Sequence, residues 1–279
     1  MTADFGPVNL FKFRRSGLCR IDLATVHLMP EAGATSMTLR PDAGRLFSRS
    51  RRVRLGDVDP TGRCRLDSMA RYLQDIARDD SSDSGLVDPM TWVVRRTRMD
   101  VHQAPVFQEW LEMETWCSGH GNRWAERRTT LRGDQGALVE AVTVWIFVDG
   151  ETGAPRKLNQ DFFDIFGVTM TGRKITARLQ LPSSPPPSAS EAHWPVRHTD
   201  LDVFGHVNNA AHWVPLEEVA AERGMNLNGV TAEVDFGSGV TPGEVALHID
   251  HDDDMFTTWL MTPDGLGSAG RIGPLRSEA

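Results

Sequence analysis

At 279 residues, with 40% hydrophobic and 24% charged side chains, the chain has the composition of a soluble protein able to bury two cores of ~100–150 residues each. Its net charge of −8 argues against a nucleic-acid binder, and no apolar run approaches the ~20 residues that a membrane helix needs. Three scattered cysteines (Cys19, Cys64, Cys117) suit a reducing compartment better than a disulfide framework, and the N-terminus lacks a signal-peptide core, so a cytoplasmic location is expected.

Residues 1–43 show no sustained period and are expected to form a disordered tail, with Met37 a plausible alternative start. From Arg45 to Leu55, Leu46, Val53 and Leu55 alternate with arginines, as in a strand with one charged side. An Asp57–Gly62 turn follows. A helix is then expected from about Asp67, read as its N-cap, with Met69, Tyr72, Leu73, Ile76 and Ala77 in one apolar stripe. Four strands come next, at Trp92–Met99, Trp110–Cys117, Arg123–Arg132 and Glu140–Val148, separated by Gly- and Pro-containing turns. The last is apolar on both faces, as a doubly covered central strand would be. A short helix around Asp161–Phe166 leads to a Pro/Ser-rich segment over 181–192, read as a linker without core-forming residues. The expected layout is therefore a tail over 1–43, a first domain over 44–180, the linker, and a second domain over 193–279. The second domain carries strands at Gly229–Phe236, Glu244–Asp250, Met255–Met261 and Ala269–Ile272.

The two domains share a pattern. Val53–Ala77 and Val196–Ala220 align without a gap at an offset of 143 residues. Val53, Arg54, Asp57, Asp59, Gly62, Leu73 and Ala77 recur as Val196, Arg197, Asp200, Asp202, Gly205, Leu216 and Ala220, and Gln74 and Glu217 agree in character. A tandem duplication follows, each copy a long helix packed on an antiparallel sheet, side by side as a pseudo-dimer: an α+β fold. Pro215 inside the second helix predicts a kink or a late start.

The block Asp200-Leu-Asp202-Val-Phe204-Gly-His206-Val-Asn208-Asn209 resembles the D-x-D-x-x-x-H-V-N-N signature of hot-dog thioesterases, and most closely the acyl-ACP thioesterase family of plants and bacteria. Leu73-Gln74-Asp75-Ile76-Ala77, Gly85-Leu86, Trp92, Glu114-Thr115-Trp116 and Gly121 are similar to that family's N-terminal half. The resemblance implies a tandem hot-dog fold and hydrolysis of a fatty acyl thioester on acyl carrier protein. It places the chemistry in the second half and the acyl chain mainly in the first. It implies no metal or organic cofactor; the acidic balance speaks against a nucleic-acid partner, and the duplication leaves monomer and homodimer both open.

Thioester hydrolysis needs a base or nucleophile, a water, and donors for the oxyanion. Asp202 is the candidate base or nucleophile. His206 is placed to orient water or polarise the carbonyl. Asn208 and Asn209 open the helix, whose free N–H groups favour negative charge. Asp and Asn at such positions also serve as caps and turn formers, which is the plainer reading of Asp200. Asp59, in a D-x-D-P-x-G turn similar to that of single hot-dog acyl-CoA thioesterases, is a second candidate, although Arg63 and Arg65 stand at the His and Asn positions. Glu218 reads as a buried hydrogen-bonding group.

Three departures from the plant pattern stand out: Phe204 in place of an Asn, Gly237-Ser238 in place of an acid–Cys pair, and His212 in place of an aromatic residue. Nine strand arginines (49, 51, 52, 54, 95, 96, 98, 127 and 128) offer either a docking face for an acidic carrier or an ordinary solvated surface. An acyl-CoA thioesterase, an acyl-thioester hydratase and a non-catalytic acyl-thioester-binding protein remain alternatives.

Overall fold

The computed structural model describes residues 37–86 and 91–275. Ten strands form one antiparallel sheet: β1 (Phe47–Arg52), β2 (Thr91–Gln103), β3 (Trp110–His120), β4 (Trp124–Gly133), β5 (Leu138–Val148), β6 (Ser190–His193), β7 (Val230–Phe236), β8 (Ala246–Asp252), β9 (Met255–Thr262) and β10 (Gly265–Pro274). Their order is β1-β3-β4-β5-β2-β7-β10-β9-β8-β6. Read inward from either edge, the sheet repeats one connectivity: first strand, third, fourth, fifth, second. The duplication is thus present in topology as well as in the turn motif. Its seam is the β2–β7 ladder, running from Arg96 opposite Asp235 to Val101 opposite Val230. Asp100 closes this seam by receiving both arms of Arg98 (2.9 and 2.7 Å) and the Thr231 hydroxyl (2.8 Å).

Among the described residues three α-helices lie on this sheet: α1 (Leu66–Asp83), α2 (Gln160–Met170) and α3 (Val214–Glu222). Met69, Tyr72, Leu73, Ile76 and Ala77 of α1 are all buried, as their spacing predicts, each large side chain contributing about 1.5–3 kcal/mol of apolar transfer. α1 packs on β1, on β3 and on the second half's helical segment, so the two halves share one core. No helix among the described residues is long and apolar enough to cross a membrane.

Four expectations need correction. The second helix is short rather than long: α3 has nine residues behind a 3-10 turn at Ala211–Trp213, with the late start expected from Pro215, which stands in its first turn where a missing N–H costs nothing. The N-cap of α1 is Arg65 rather than Asp67; Asp67 lies in the first turn and pairs with Arg65 and Arg71. The 1–43 tail is packed at its end, since Met37 is buried beside the Arg128 guanidinium and Arg40 pairs with Glu114; residues 1–36 lie outside the described residues. The 181–192 segment is no free linker. Leu181 is buried with Trp259 and Ala269, its N–H is held by Asp235 at 2.8 Å, and Ser190–His193 forms edge strand β6 against β8.

Candidate functional site

The two turns agree bond for bond. In the first, Asp57 Oδ2 accepts the Arg54 N–H at 2.8 Å, Asp59 N–H donates to Arg63 O at 2.8 Å, Gly62 N–H to Asp59 O at 3.0 Å, and Arg65 N–H to Asp57 O at 2.9 Å. In the second, Asp200 Oδ2 accepts the Arg197 N–H at 2.8 Å, Asp202 N–H donates to His206 O at 2.8 Å, Gly205 N–H to Asp202 O at 3.0 Å, and Asn208 N–H to Asp200 O at 2.7 Å. Gly62 (φ +88) and Gly205 (φ +77) take the left-handed conformation the turn requires. Asp57 and Asp200 are turn formers, as the plainer reading holds.

What fills the two turns differs. In the first half Asp59 is fully engaged. Its Oδ1 accepts the Thr61 hydroxyl and N–H and the Arg63 N–H, and its Oδ2 pairs with the Arg63 guanidinium at 2.9 Å. Burial raises its pKa, but the Thr61 hydroxyl, the Arg63 charge and the backbone donors outweigh this and hold it below the usual carboxylate range. Arg63 also pairs with Glu217 of α3, whose other oxygen accepts the Leu66 N–H at 3.0 Å. The first turn of α1 is thereby capped from the opposite half, which Arg65, having no acceptor, cannot do itself.

In the second half the site is open. Asp202 is half-buried; its Oδ1 accepts the Phe204 N–H at 2.8 Å and the His206 N–H at 3.4 Å, and its Oδ2 has no partner among the described residues. The exposed His206 ring lies against Gly239, where a side-chain carbon would meet it at 3.0 Å. Asn208 and Asn209 do not open α3, whose N-cap is Trp213 behind a 3-10 turn capped by Ala210; Asn208 instead holds the preceding turn, its Oδ1 accepting the Ala210 N–H at 2.9 Å and its carbonyl the Ala211 N–H at 2.8 Å. The Asn209 N–H, counterpart of the Leu66 N–H, donates to no acceptor among the described residues. The structure therefore brings Asp202, His206, Asn208 and Asn209 together in one turn. Asp59 sits in a closed copy of it.

The departures from the plant pattern have local causes. A side chain at Gly237 would meet the Leu266 carbonyl at 2.1 Å, so no acid fits there, and the Ser238 hydroxyl donates to that same carbonyl at 3.1 Å. Phe204 is 62% exposed at the tip of the turn. His212 is buried, with Nδ1 2.8 Å from the Ser268 hydroxyl; burial outweighs its bond to the Val207 backbone and lowers its pKa to about 4. Burial raises the thiols of Cys64 and Cys117 to about 12 and about 11, so neither is poised as a nucleophile.

Two further expectations are revised by burial. Glu218 is exposed, and the buried hydrogen-bonding acid is its neighbour Glu217. The strand arginines, read either as a docking face or as a solvated one, do not all reach the surface. Arg96, Arg98, Arg127 and Arg128 are buried, while Arg49 and Arg51 pair with Asp79 and Asp75 of α1.

A cavity of about 160 Å³ lies within the first half, between Gln74 and Ala77 of α1, Cys117 and Ala125 of the sheet, and Phe162 and Phe166 of α2. Its walls are mainly apolar and suit a hydrocarbon chain.

Residues 44–166 match the model of the acyl-ACP thioesterase N-terminal domain, and residues 183–260 that of the acyl-ACP thioesterase C-terminal domain. An uncharacterized protein of Mycobacterium tuberculosis is 28% identical over 235 residues, spanning 84% of this chain and 94% of its own. A chloroplastic oleoyl-acyl carrier protein thioesterase of Coriandrum sativum is 28% identical over 150 residues, 48% of this chain and 39% of the relative. Among solved structures, the 12:0-ACP thioesterase of Umbellularia californica superposes with a TM-score of 0.66 at 16% identity, over 87% of this chain and 98% of that one. An acyl-ACP thioesterase of Bacteroides thetaiotaomicron gives 0.66 at 17%, over 82% and 97%. These two likenesses establish the tandem hot-dog fold.

Proposed function

Since the chain belongs to the acyl-ACP thioesterase family, we propose that it hydrolyses fatty acyl thioesters carried on acyl carrier protein, releasing the free acid and the carrier. The observation that carries this reading is the contrast between the two turns. One copy is closed by Arg63 and Glu217, and the other leaves the Asp202 Oδ2 and the Asn209 N–H unclaimed among the described residues.

Asp202 accepts a proton from water as that water attacks the thioester carbonyl carbon. The carbonyl oxygen, gaining negative charge, lies at the Asn209 N–H, where the start of the helical segment favours an anion. The carbon–sulfur bond then breaks, the proton passes from Asp202 to the departing thiolate, and acid and thiol leave. His206, exposed on the same turn, orients the water. Asn208 holds the turn by its own hydrogen bonds to Ala210 and Ala211 rather than by touching substrate. Direct attack by the Asp202 carboxylate uses the same atoms: the carbon–sulfur bond breaks as a mixed anhydride forms, the thiolate leaves and is protonated from solvent, and water then cleaves the anhydride to the free fatty acid and the restored Asp202.

The test is release of free thiol from acyl-ACP and acyl-CoA panels by the native protein and by Asp202→Asn. Loss of release in the variant alone supports this reading. Unchanged release in the variant moves the chemistry elsewhere, preference for CoA substrates reassigns the carrier, and absence of release from either panel leaves an acyl-thioester-binding protein.

A further inference from the structure

The closed turn in the first half shows what the open one has in the same place. Glu217 of α3 reaches the Leu66 N–H at the start of α1, so the helical segments of the two halves run past each other in opposite directions. Eight residues along α1 from Leu66 lies Gln74, and eight residues back from Glu217 lies Asn209. The 143-residue offset makes the same match, taking Leu66 to Asn209 and Gln74 to Glu217. The packing of α1 against the 3-10 turn at Ala211–Trp213 agrees with this register.

We propose that Gln74, on the first half's helix, is a catalytic residue of the second half's site, with its side-chain amide at the reacting thioester beside the Asn209 N–H. This rests on the thioesterase reading above and adds to it a group from the other half of the chain. Gln74 is half-buried, lines the cavity between α1, the sheet and α2, and makes no side-chain hydrogen bond among the described residues. Its place in the cavity is observed, and its place beside Asn209 follows from the antiparallel register of the two halves.

The chemistry explains why the two copies carry different residues. A carboxylate accepts only, so Glu217 consumes the Leu66 N–H and draws in Arg63 as counter-ion. A neutral amide carries two N–H donors and an acceptor. At the same place Gln74 leaves the Asn209 N–H free, donates a second hydrogen bond to the developing oxyanion, and brings no charge to repel it. The acid–amide difference between the repeats thus separates a closed site from an open one.

The experiment compares native protein, Gln74→Ala and Gln74→Glu in thiol release, and in binding of a non-hydrolysable acyl-CoA thioether. Gln74→Ala is expected to lower kcat about tenfold or more with a smaller change in KM, as loss of an oxyanion donor does. Gln74→Glu is expected to fall further, because the new carboxylate caps Asn209 as Glu217 caps Leu66, and to regain rate as the pH falls and that carboxylate is protonated. A purely structural role would not give that pH-dependent recovery. A Gln74→Ala rate within twofold of native, or a Gln74→Glu pH profile parallel to native, overturns the proposal. If native protein releases no thiol, the thioesterase reading fails by itself; thioether affinity unchanged by Gln74→Glu then overturns the placement of Gln74, and affinity lost on that substitution supports it.

Discussion

The Glu217 carboxylate accepts the Leu66 backbone N–H at 3.0 Å while pairing with Arg63, so one half of the molecule supplies the helix cap that the other lacks. Truncating it as Glu217→Ala leaves the start of α1 uncapped and Arg63 with Asp59 as its remaining acid. Loss of one partner from a largely buried pair costs about 3 kcal/mol. Urea unfolding of native and variant protein checks this, and a shift under about 0.5 kcal/mol would show that the cap is dispensable.

Asp59 and Asp202 occupy identical turns and should respond oppositely to the same change. Asp202→Asn is expected to lower kcat by about 10²–10⁴ with the fold intact. Asp59→Asn removes a carboxylate committed to Arg63 and Thr61, and is expected to lower stability by about 1–2 kcal/mol while the rate per folded molecule stays near native. Parallel rate and denaturation measurements separate the two. Equal rate losses would mean that both turns are catalytic.

Much of this was legible in the sequence because the evidence for it is periodic or local. The strand alternation, the α1 stripe and the repeated D-x-D turn each lie within a short window, and the turn residues are dictated by backbone geometry at Gly62 and Gly205. What was not legible is set by contacts between distant residues. Glu217 and Glu218 are adjacent, and only packing against α1 decides which is buried. The arginines of β2 and β4 read as a charged face until their partners Asp100 and Asp80 place them inside. Leu181, in a Pro/Ser-rich context, is a core residue because Asp235 fastens the backbone beside it. Gln74 and Glu217 read as agreeing in character, and only the Leu66 contact shows that the acid and the amide act differently.

The cavity in the first half offers a direct handle on chain length. Ala77 of α1 and Ala125 of the sheet both line it. Ala125→Leu adds three carbons to a space of about 160 Å³. Each methylene excluded is worth about 1–3 kcal/mol in a well-packed site, so kcat/KM for the longest accepted chain is expected to drop about tenfold or more relative to shorter ones. Competition between acyl chain lengths on a single carrier measures this ratio. A uniform loss across all lengths would mean that the acyl chain binds elsewhere.

His212 gives the molecule a defined acid sensitivity. Burial lowers its pKa to about 4 against an ordinary 6.5, since the ring is enclosed by the Ser268 hydroxyl, the Val207 backbone and the edge of Phe236, with no counter-charge for an imidazolium among the described residues. Above about pH 6.5 the ring is neutral whether folded or unfolded, and its contribution to stability is complete. As the pH falls from there toward 4 the unfolded chain takes up a proton that the folded chain refuses, so stability is lost across that window. The difference corresponds to about 3 kcal/mol. His212→Gln removes the titration and keeps hydrogen-bonding capacity. The stability advantage of native protein over this variant should therefore shrink by about that amount between pH 7 and pH 4, read by urea unfolding at each pH. An advantage constant with pH would show that His212 protonates in the fold as easily as in the open chain, and that the clamp at Val207 and Ser268 tolerates the charge.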